Sequence, residues 1–500
     1  MQPANDQVEH GWRLVVIVAG VCIAAVMQFL DSTIVNVALP TIGGNLGATF
    51  DEIGWIVTSY SLAAIGVIPL TGWLALRFGR KRYFLFSIAG FTVASALCGL
   101  ATSFEGLLAA RVLQGLFGGG LVATSQALLV SAFPVERQAV AQGLFAMIAV
   151  LGPGLGPTVG GWLTDEYSWP IIFFINLPLG VLCVVALGMT LRETVTQRRP
   201  VDVLGIVLLV SGLASLQYFL ERGELKQWFD DPGITVAAIW AAIALPWFVI
   251  HALRAPHPVL DLRTLRHRNL TLAAIATLAL GANLFGSLLI MPLYLQTSLG
   301  FTALAAGLVL VVRTIPTALL APLVTVVLQR RILSPRVTAG FGLATLALGT
   351  YVLASAITPG SDAESFIPGM LIVGVAFACL WTPIGLIALR SLPPAEIGYG
   401  AAIFNLSAQV GGSVSIAAIT TLLDRRLAFW WDALASRTTL TNGAIAQITG
   451  STDPHRIAPQ LIQTVAAQAA VLTYRDLLMM LAVPPLLAIA VIAFARRTHS

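Results

Sequence analysis

The chain has 500 residues, of which 57% are hydrophobic and only 10% charged, with a formal net charge of +5. Soluble domains carry roughly 25% charged residues, so a water-soluble globular protein is excluded. A nucleic-acid partner is excluded too, because the positive residues fall between apolar stretches rather than in one basic cluster.

Crossing a bilayer takes about 20 apolar residues. Fourteen such spans are predicted, starting near Leu14, Ile53, Tyr83, Leu107, Val140, Ile171, Val203, Ile234, Leu270, Leu304, Val337, Ile367, Ala401 and Leu477. The first is not a signal peptide: Leu14 to Leu30 lacks a small-residue cleavage pattern, and the apolar run continues toward Pro40. All six inner loops carry Arg or Lys: Arg77/Arg80/Lys81/Arg82, Arg137, Arg192/Arg198/Arg199, Arg254/Arg263/Arg266/Arg268, Arg330/Arg331/Arg336 and Arg390. Five of the six short outer loops carry none, and the exception holds Arg222 and Lys226. That bias places both termini in the cytoplasm.

The spans group as six, two and six. Residues 13–191 form a first six-helix bundle. Residues 192–267 hold a two-helix insertion with its flanking cytoplasmic loops. Residues 268–496 form a second six-helix bundle, including a long outer loop at about 426–474. Two six-helix halves are a common build of membrane transporters, with a substrate site near the midplane between them. The long loop is too polar to span, yet Leu427 to Trp431 and Leu461/Ile462/Val465 recur at helical intervals. One or two amphipathic helices outside or on the membrane are expected there. A partner-binding surface and a self-packed cap both fit that pattern.

Charges inside spans are costly and are usually kept for function. Asp31 stands nine residues before Pro40, roughly 13 Å from the outer end of the first span. Arg111 stands six residues after Glu105, roughly 9 Å from the same end of the fourth. The two spans run in opposite directions, so the charges reach similar depth. A buried Asp beside a removable Arg can load and release a proton; a static ion pair is the other reading. The turn Gly72 to Arg82 is short and basic, with Gly79 free to take positive φ and arginines such as Arg80 able to cap helix ends. In the fifth span, Gly152, Gly156 and Gly160 recur every fourth residue beside Pro153, Pro157 and Gly161, giving a face without side chains that admits close packing. Arg313 is a second buried cation, roughly 16 Å into the tenth span. Deep acids are lacking in the ninth to fourteenth spans, so an anion from elsewhere, the substrate included, is expected to meet it; an Arg that bonds only backbone carbonyls freed near Pro316 is the other reading. Asn283, Asn405 and Gln409 add polar groups to the second half, as helix–helix glue or as ligand contacts. Cys22, Cys98, Cys183 and Cys379 lie inside spans without metal or disulfide spacing and read as small apolar packing residues.

These residues, in this order, resemble the major facilitator superfamily, and within it the fourteen-helix drug:proton antiporter family of EmrB/QacA type. The resemblance covers essentially the whole chain. Leu30-Asp31-Ser32-Thr33-Ile34-Val35-Asn36-Val37-Ala38-Leu39-Pro40 is similar to the family's first-helix motif. Arg111-Val112-Leu113-Gln114-Gly115 is similar to the fourth-helix motif, whose arginine is implicated in proton transfer. Gly156-Pro157-Thr158-Val159-Gly160-Gly161 is similar to the fifth-helix motif of exporters, and Ile172 to Gly180 to the sixth. Gln217, Glu221-Arg222-Gly223 and Trp228-Phe229 look EmrB-like in particular. Three positions depart from the pattern: Leu76 stands where an Asp is usual, Ala408 where the thirteenth helix usually has an Arg, and Arg313 where a small or apolar residue is usual.

The resemblance implies an all-α integral membrane protein of fourteen transmembrane helices in a bacterial inner membrane. It implies export of lipophilic compounds by proton antiport and alternating access, drawing on the proton-motive force without cofactor, metal or nucleotide. Asp31 and Arg111 are the expected proton-coupling pair. Asn36, Gln114, Asn283, Arg313, Trp381, Asn405 and Gln409 are expected at the substrate cavity. Gly72, Gly79, Arg80, Gly152, Gly156, Pro157, Gly160 and Gly161 are the expected gating positions. In Gram-negative cells such proteins work with a periplasmic adaptor and an outer-membrane channel. Export of one specific metabolite or antibiotic, and a receptor that transports nothing, stay open as other functions. No phosphate-binding loop or nucleophile–base pair points to an enzyme.

Overall fold

A computed structural model describes residues 11–48, 50–134, 137–193, 196, 200–393, 396–436 and 454–495. Among these, fourteen helices are long and apolar enough to span: α1 Trp12–Leu39, α2 Trp55–Phe78, α3 Arg80–Gly99, α4 Phe104–Ala132, α5 Gln138–Thr164, α6 Ile171–Thr190, α7 Val203–Arg222, α8 Pro232–Arg254, α9 Arg268–Thr297, α10 Leu304–Gln329, α11 Pro335–Ala356, α12 Ala363–Leu389, α13 Ile397–Ala435 and α14 Leu461–Ala493. The expected starts lie within a few residues of these, except for the last. The described residues contain no strand. Water is absent from a bilayer core, so the backbone satisfies itself within helices.

Local chemistry sets the helix ends. Ser103 accepts a hydrogen bond from Gly106 N at 3.1 Å and caps α4; Asp202 caps α7 through Gly205 N at 2.9 Å, and Asp231 caps α8 through Ile234 N at 2.9 Å. Gly79, with φ +89°, makes the turn between α2 and α3, as the spacing predicted. Lys81 then donates to the carbonyl of Gly188 near the end of α6 at 2.7 Å, where a cation suits the helix dipole. Arg198 and Arg199 lie outside the described residues.

α1–α6 pack against one another, as do α9–α14, and the two groups meet along two seams. In the first seam α5 runs between α1 and α10. One face of α5 presents Gly152, Gly156 and Gly160 to Phe29, Thr33 and Ile34 of α1. Other positions of α5 meet α10: Gly143 faces Thr325, Gly154 faces Thr314, and Thr158 faces Gly307. In the second seam α2 meets α13 at the arginine-rich end of the molecule. There a Cβ on Gly72 would stand 3.1 Å from the backbone of both Gly398 and Tyr399, so the helices touch backbone to backbone. Toward the other end α7 enters this seam and packs on both α2 and α13.

The long loop expected at about 426–474 is largely helix. α13 runs unbroken for 39 residues to Ala435, and a continuous helix from Pro454 to Leu481 leads into α14. The polar, periodic residues there are extensions of membrane helices rather than separate surface helices. Trp430 donates to Asp476 at 2.9 Å and Arg426 pairs with the same carboxylate at 3.6 Å, tying the two extensions together. Residues 437–453 lie outside the described residues.

The α1–α5 contact leaves no room for a side chain at Gly160, where a Cβ would sit 2.6 Å from the carbonyl oxygen of Ile34. At the neighbouring Gly161 the nearest atoms are 3.7 and 3.9 Å away. Gly160→Ala should therefore slow transport in liposomes and lower stability by about 1–3 kcal/mol, while Gly161→Ala should behave as the parent. Equal thermal melting and equal rates for the two variants would show that the packing at Gly160 yields freely.

Candidate functional site

Asp31 and Arg111 lie together, fully buried, with Arg111 Nη1 donating to Asp31 Oδ2 at 2.7 Å. α1 and α4 deliver them from opposite directions at matching depth. Gln114, one turn beyond Arg111, is the third member. Its Nε2 donates to Asp31 Oδ1 at 2.7 Å, while its Oε1 accepts from Arg111 Nη1 at 2.7 Å. Gln114 therefore belongs to the charge pair.

Several partners carried no sequence signal as members of this site. Ser95 of α3 accepts from Gln114 at 3.2 Å and from Asn176 of α6 at 3.0 Å, and donates to the Phe173 carbonyl at 2.9 Å. Asn176 also reaches Asp31 Oδ1 at 3.4 Å. Arg111 Nε donates to the backbone carbonyl of Ile56 at 3.0 Å, and its guanidinium lies 4.3 Å from the centre of the Tyr60 ring. Asn176 falls inside the sixth-helix motif and could have been found there; Ser95, Tyr60 and the Ile56 carbonyl could not. Glycines in α4 let α2 come this close, since Gly115 packs on the Tyr60 carbonyl and Gly119 on that of Ala64. The result is a buried carboxylate with both oxygens bonded and no water access. A proton can reach it only when the surrounding helices part.

Second-half residues divide differently. α10 breaks between Val311 and Thr314, and α12 breaks between Ala378 and Trp381. Irregular backbone at membrane depth is tolerated where protein or a cavity satisfies it. Arg313 sits at the first break, 1% exposed, with its carbonyl against Gly374 of α12. Nη1 donates to Ser287 of α9 at 3.3 Å, but Nε and Nη2 have no partner. Trp381 follows the second break. Its ring packs edge-on against Phe145 of α5 and Phe404 of α13, so it joins the two halves, and its indole N–H is also unpartnered. Asn405 donates to Gln126 of α4 at 2.7 Å, and Gln126 donates to Gln142 of α5 at 3.2 Å. This amide chain crosses between the halves toward the arginine-rich end, near Gly72 and Gly398.

The other cavity candidates lie elsewhere. Asn283 is buried among α9, α11 and α14, donating to Thr350 at 3.0 Å and to the Leu481 carbonyl at 3.1 Å. Its Nδ2 ties its own bundle together, while its Oδ1 has no partner among the described residues. Asn36 is exposed and Gln409 half-buried, and neither joins the buried clusters. Of the gating residues, Gly72, Gly152, Gly156, Gly160 and Gly79 occupy close contacts or the tight turn described above. Gly161 and Pro157 sit on the same stretch of α5 with more room. Arg80 starts α3 beside a small cavity of about 20 Å³ that Gly72 and Gly398 also line. All four cysteines are free, and among the described residues no cluster could hold a metal ion.

Two groups of six helices joined by a glycine seam and a hydrogen-bonded seam, with a buried charge pair in one and a buried cation in the other, define a multi-pass secondary transporter. The chain belongs to the Major Facilitator Superfamily, whose sequence pattern matches residues 21–416. It is 35% identical to the multidrug export protein EmrB of Escherichia coli strain K12 over 419 residues, 83% of this chain and 81% of that one. It is 36% identical to the fatty acid resistance protein FarB of Neisseria gonorrhoeae over 407 residues, 81% of this chain and 80% of that one. Among solved structures, the human organic anion transporter MFSD10 shares the fold with a TM-score of 0.59 at 15% identity, covering 94% of this chain and 99% of its own. The proton:xylose symporter XylE does so with a TM-score of 0.57 at 14% identity, covering 92% and 94%.

Removing one partner of a buried pair leaves the other charge stranded, at about 3–5 kcal/mol. Asp31→Asn should therefore lower the melting temperature markedly, and adding Arg111→Gln should recover much of the loss. If the double variant is as unstable as the sum of the singles, the two side chains are not coupled as their geometry requires.

Proposed function

We propose that this protein is a proton-driven exporter of lipophilic compounds, working by alternating access in a bacterial inner membrane with both termini in the cytoplasm. The Asp31–Arg111 pair carries this reading, because it is a carboxylate whose partner can leave it. A proton arriving from the periplasmic side neutralises Asp31 and removes its attraction for Arg111. Arg111 then keeps Gln114, the Ile56 carbonyl and the Tyr60 ring, and the α1–α4 contact relaxes. α1 carries Asp31 and rests on the glycine face of α5, which also packs on α10. A shift of α1 is thereby transmitted to the second half. The similarity to exporters such as EmrB supports the direction of transport.

The test is reconstitution in liposomes with an imposed pH gradient, using ethidium and 8-anilinonaphthalene-1-sulfonate as fluorescent probes. The parent should move probe uphill, and folded Asp31→Asn should lose gradient-driven movement by at least 100-fold. Full uphill transport by that variant would reduce Asp31 to a structural ion.

Arg313 gives the substrate range its character. A buried guanidinium with two unbonded nitrogens lacks an anion, and the described residues supply it no ion pair. The reading is that an anionic or zwitterionic amphiphile completes it during transport, with Trp381 offering apolar surface and a free N–H. Arg313→Ala should cut transport of the sulfonate probe about tenfold or more while sparing ethidium. An unchanged ratio between the probes would count against substrate contact at Arg313.

A periplasmic adaptor leading to an outer-membrane channel would find its surface on the projecting ends of α13 and α14, where Phe429 and Ile462 are exposed. Deleting 437–453 should spare transport in liposomes and weaken resistance in cells. Equal loss in both assays would make that segment part of the carrier itself.

A further inference from the structure

The two-helix insertion holds a second intramembrane carboxylate that the Asp31–Arg111 pair does not use. Glu221 lies in the last turn of α7, where α7 stands between α2 and α13. It accepts from Gln217 Nε2 at 2.5 Å, and the hydroxyls of Thr58 and Ser61 on α2 reach the same carboxyl. Gln217 Oε1 accepts in turn from Ser413 Oγ of α13 at 2.8 Å. One hydrogen-bonded line thus runs from α2 through α7 to α13, joining the first half to the second. Glu221 Oε2 is buried and has no partner.

The charged surroundings are sparse. Arg222 is the charged group that acts on Glu221, and its guanidinium lies 4.6 Å from the centre of the Trp55 ring. α2 contributes Thr58 and Ser61, and α13 contributes Ser413 through Gln217. In the hairpin turn Lys226 pairs with Asp231 at 3.2 Å, and Glu224 accepts from Trp228. A strut between α2 and α13 needs only hydrogen bonds, which a neutral amide would make. A carboxylate there would leave a bare charged oxygen in a desolvated seam, which is expensive, whereas a carboxylic acid would not. The acid therefore exceeds what a strut requires by one ionisable proton.

We propose that Glu221 is a proton-dependent positioning residue of the transport cycle. Protonated, it lets α7 tie α2 to α13 and close the periplasmic end of the seam; ionised, it draws that end of α7 toward water and the seam opens. Acid on the periplasmic side would then favour closure behind a loaded Asp31. This rests on the proton-coupled reading above, and it concerns a different residue and a different motion.

The experiment measures the separation of the two halves at that end of the molecule. Spin labels at Asn45 and Phe429, both exposed, are placed in a chain with its four cysteines replaced and reconstituted in nanodiscs. Distance distributions are recorded across acid to alkaline pH. The Asp31→Asn background should keep a pH-dependent shift from long to short distances, because Glu221 still titrates. Glu221→Gln in that background should abolish the shift and hold the short distance throughout. Glu221→Asp, which keeps a carboxyl should the amide variant fail to fold, should restore the shift with a displaced midpoint. A pH dependence that survives Glu221→Gln, or one already absent in Asp31→Asn, overturns the proposal. If instead Asp31→Asn still transports uphill in liposomes, the Asp31 reading fails while the latch is judged on its own distances.

Discussion

The cost of burying charge governs this molecule. Asp31 and Arg111 can sit without water only because every oxygen of the carboxylate is bonded and the guanidinium is shared among a carboxylate, an amide, a carbonyl and an aromatic face. With Ser95 of α3, which holds Gln114 and Asn176 in place, five helices converge on the pair: α1, α2, α3, α4 and α6. The arrangement of the first bundle is therefore coupled to the protonation state of one side chain. In the proposed mechanism a change of one proton alters how these helices are held, and that is the amplification a carrier needs.

On the proposed cycle, α5 carries that local change to the second half. It bears no charge on its packing faces, and its glycines receive Phe29, Thr33 and Ile34 of α1 and Thr314 and Thr325 of α10 without a side chain of their own. A face without side chains lets the neighbouring helices approach closely, and on the proposed cycle this is where they shift. The amide chain Asn405–Gln126–Gln142, together with the Gly72–Gly398 approach, behaves differently. It closes the arginine-rich end by directional bonds and backbone fit, which are either made or broken. On that reading one seam conducts motion and the other defines states.

Asp31, Arg111 and the glycine ladder of α5 were legible in the sequence because each violates the expectation for an apolar helix. A charge or a repeated glycine in lipid needs a reason. Fourteen spans were legible for the same reason, since hydropathy is a strong signal when water is absent. What stayed hidden was partnership. Ser95 and Tyr60 look like ordinary helix residues, and a backbone carbonyl such as that of Ile56 has no sequence at all. Asn283 was visible as a polar residue, but its direction depends on where Thr350 and Leu481 lie in other helices. Glu221 stands out in the sequence only as part of a motif, because its meaning depends on α7 entering the seam between α2 and α13. The extensions of α13 and α14 were misplaced because a polar, amphipathic pattern tells that a segment is helical, not that it continues the span before it.

That continuity has a mechanical consequence. A straight helix of 39 residues is roughly 58 Å long, about twice the hydrocarbon thickness of a bilayer. With its first turn at the arginine-rich face, the far tip of α13 stands roughly 40 Å beyond the midplane. If α13 rotates with its bundle about the midplane by roughly 15°, a typical domain rotation, the tip sweeps about 10 Å. The helix is then a lever arm, and a protein gripping its end would feel each turnover as a stroke of molecular size, delivered well clear of the lipid.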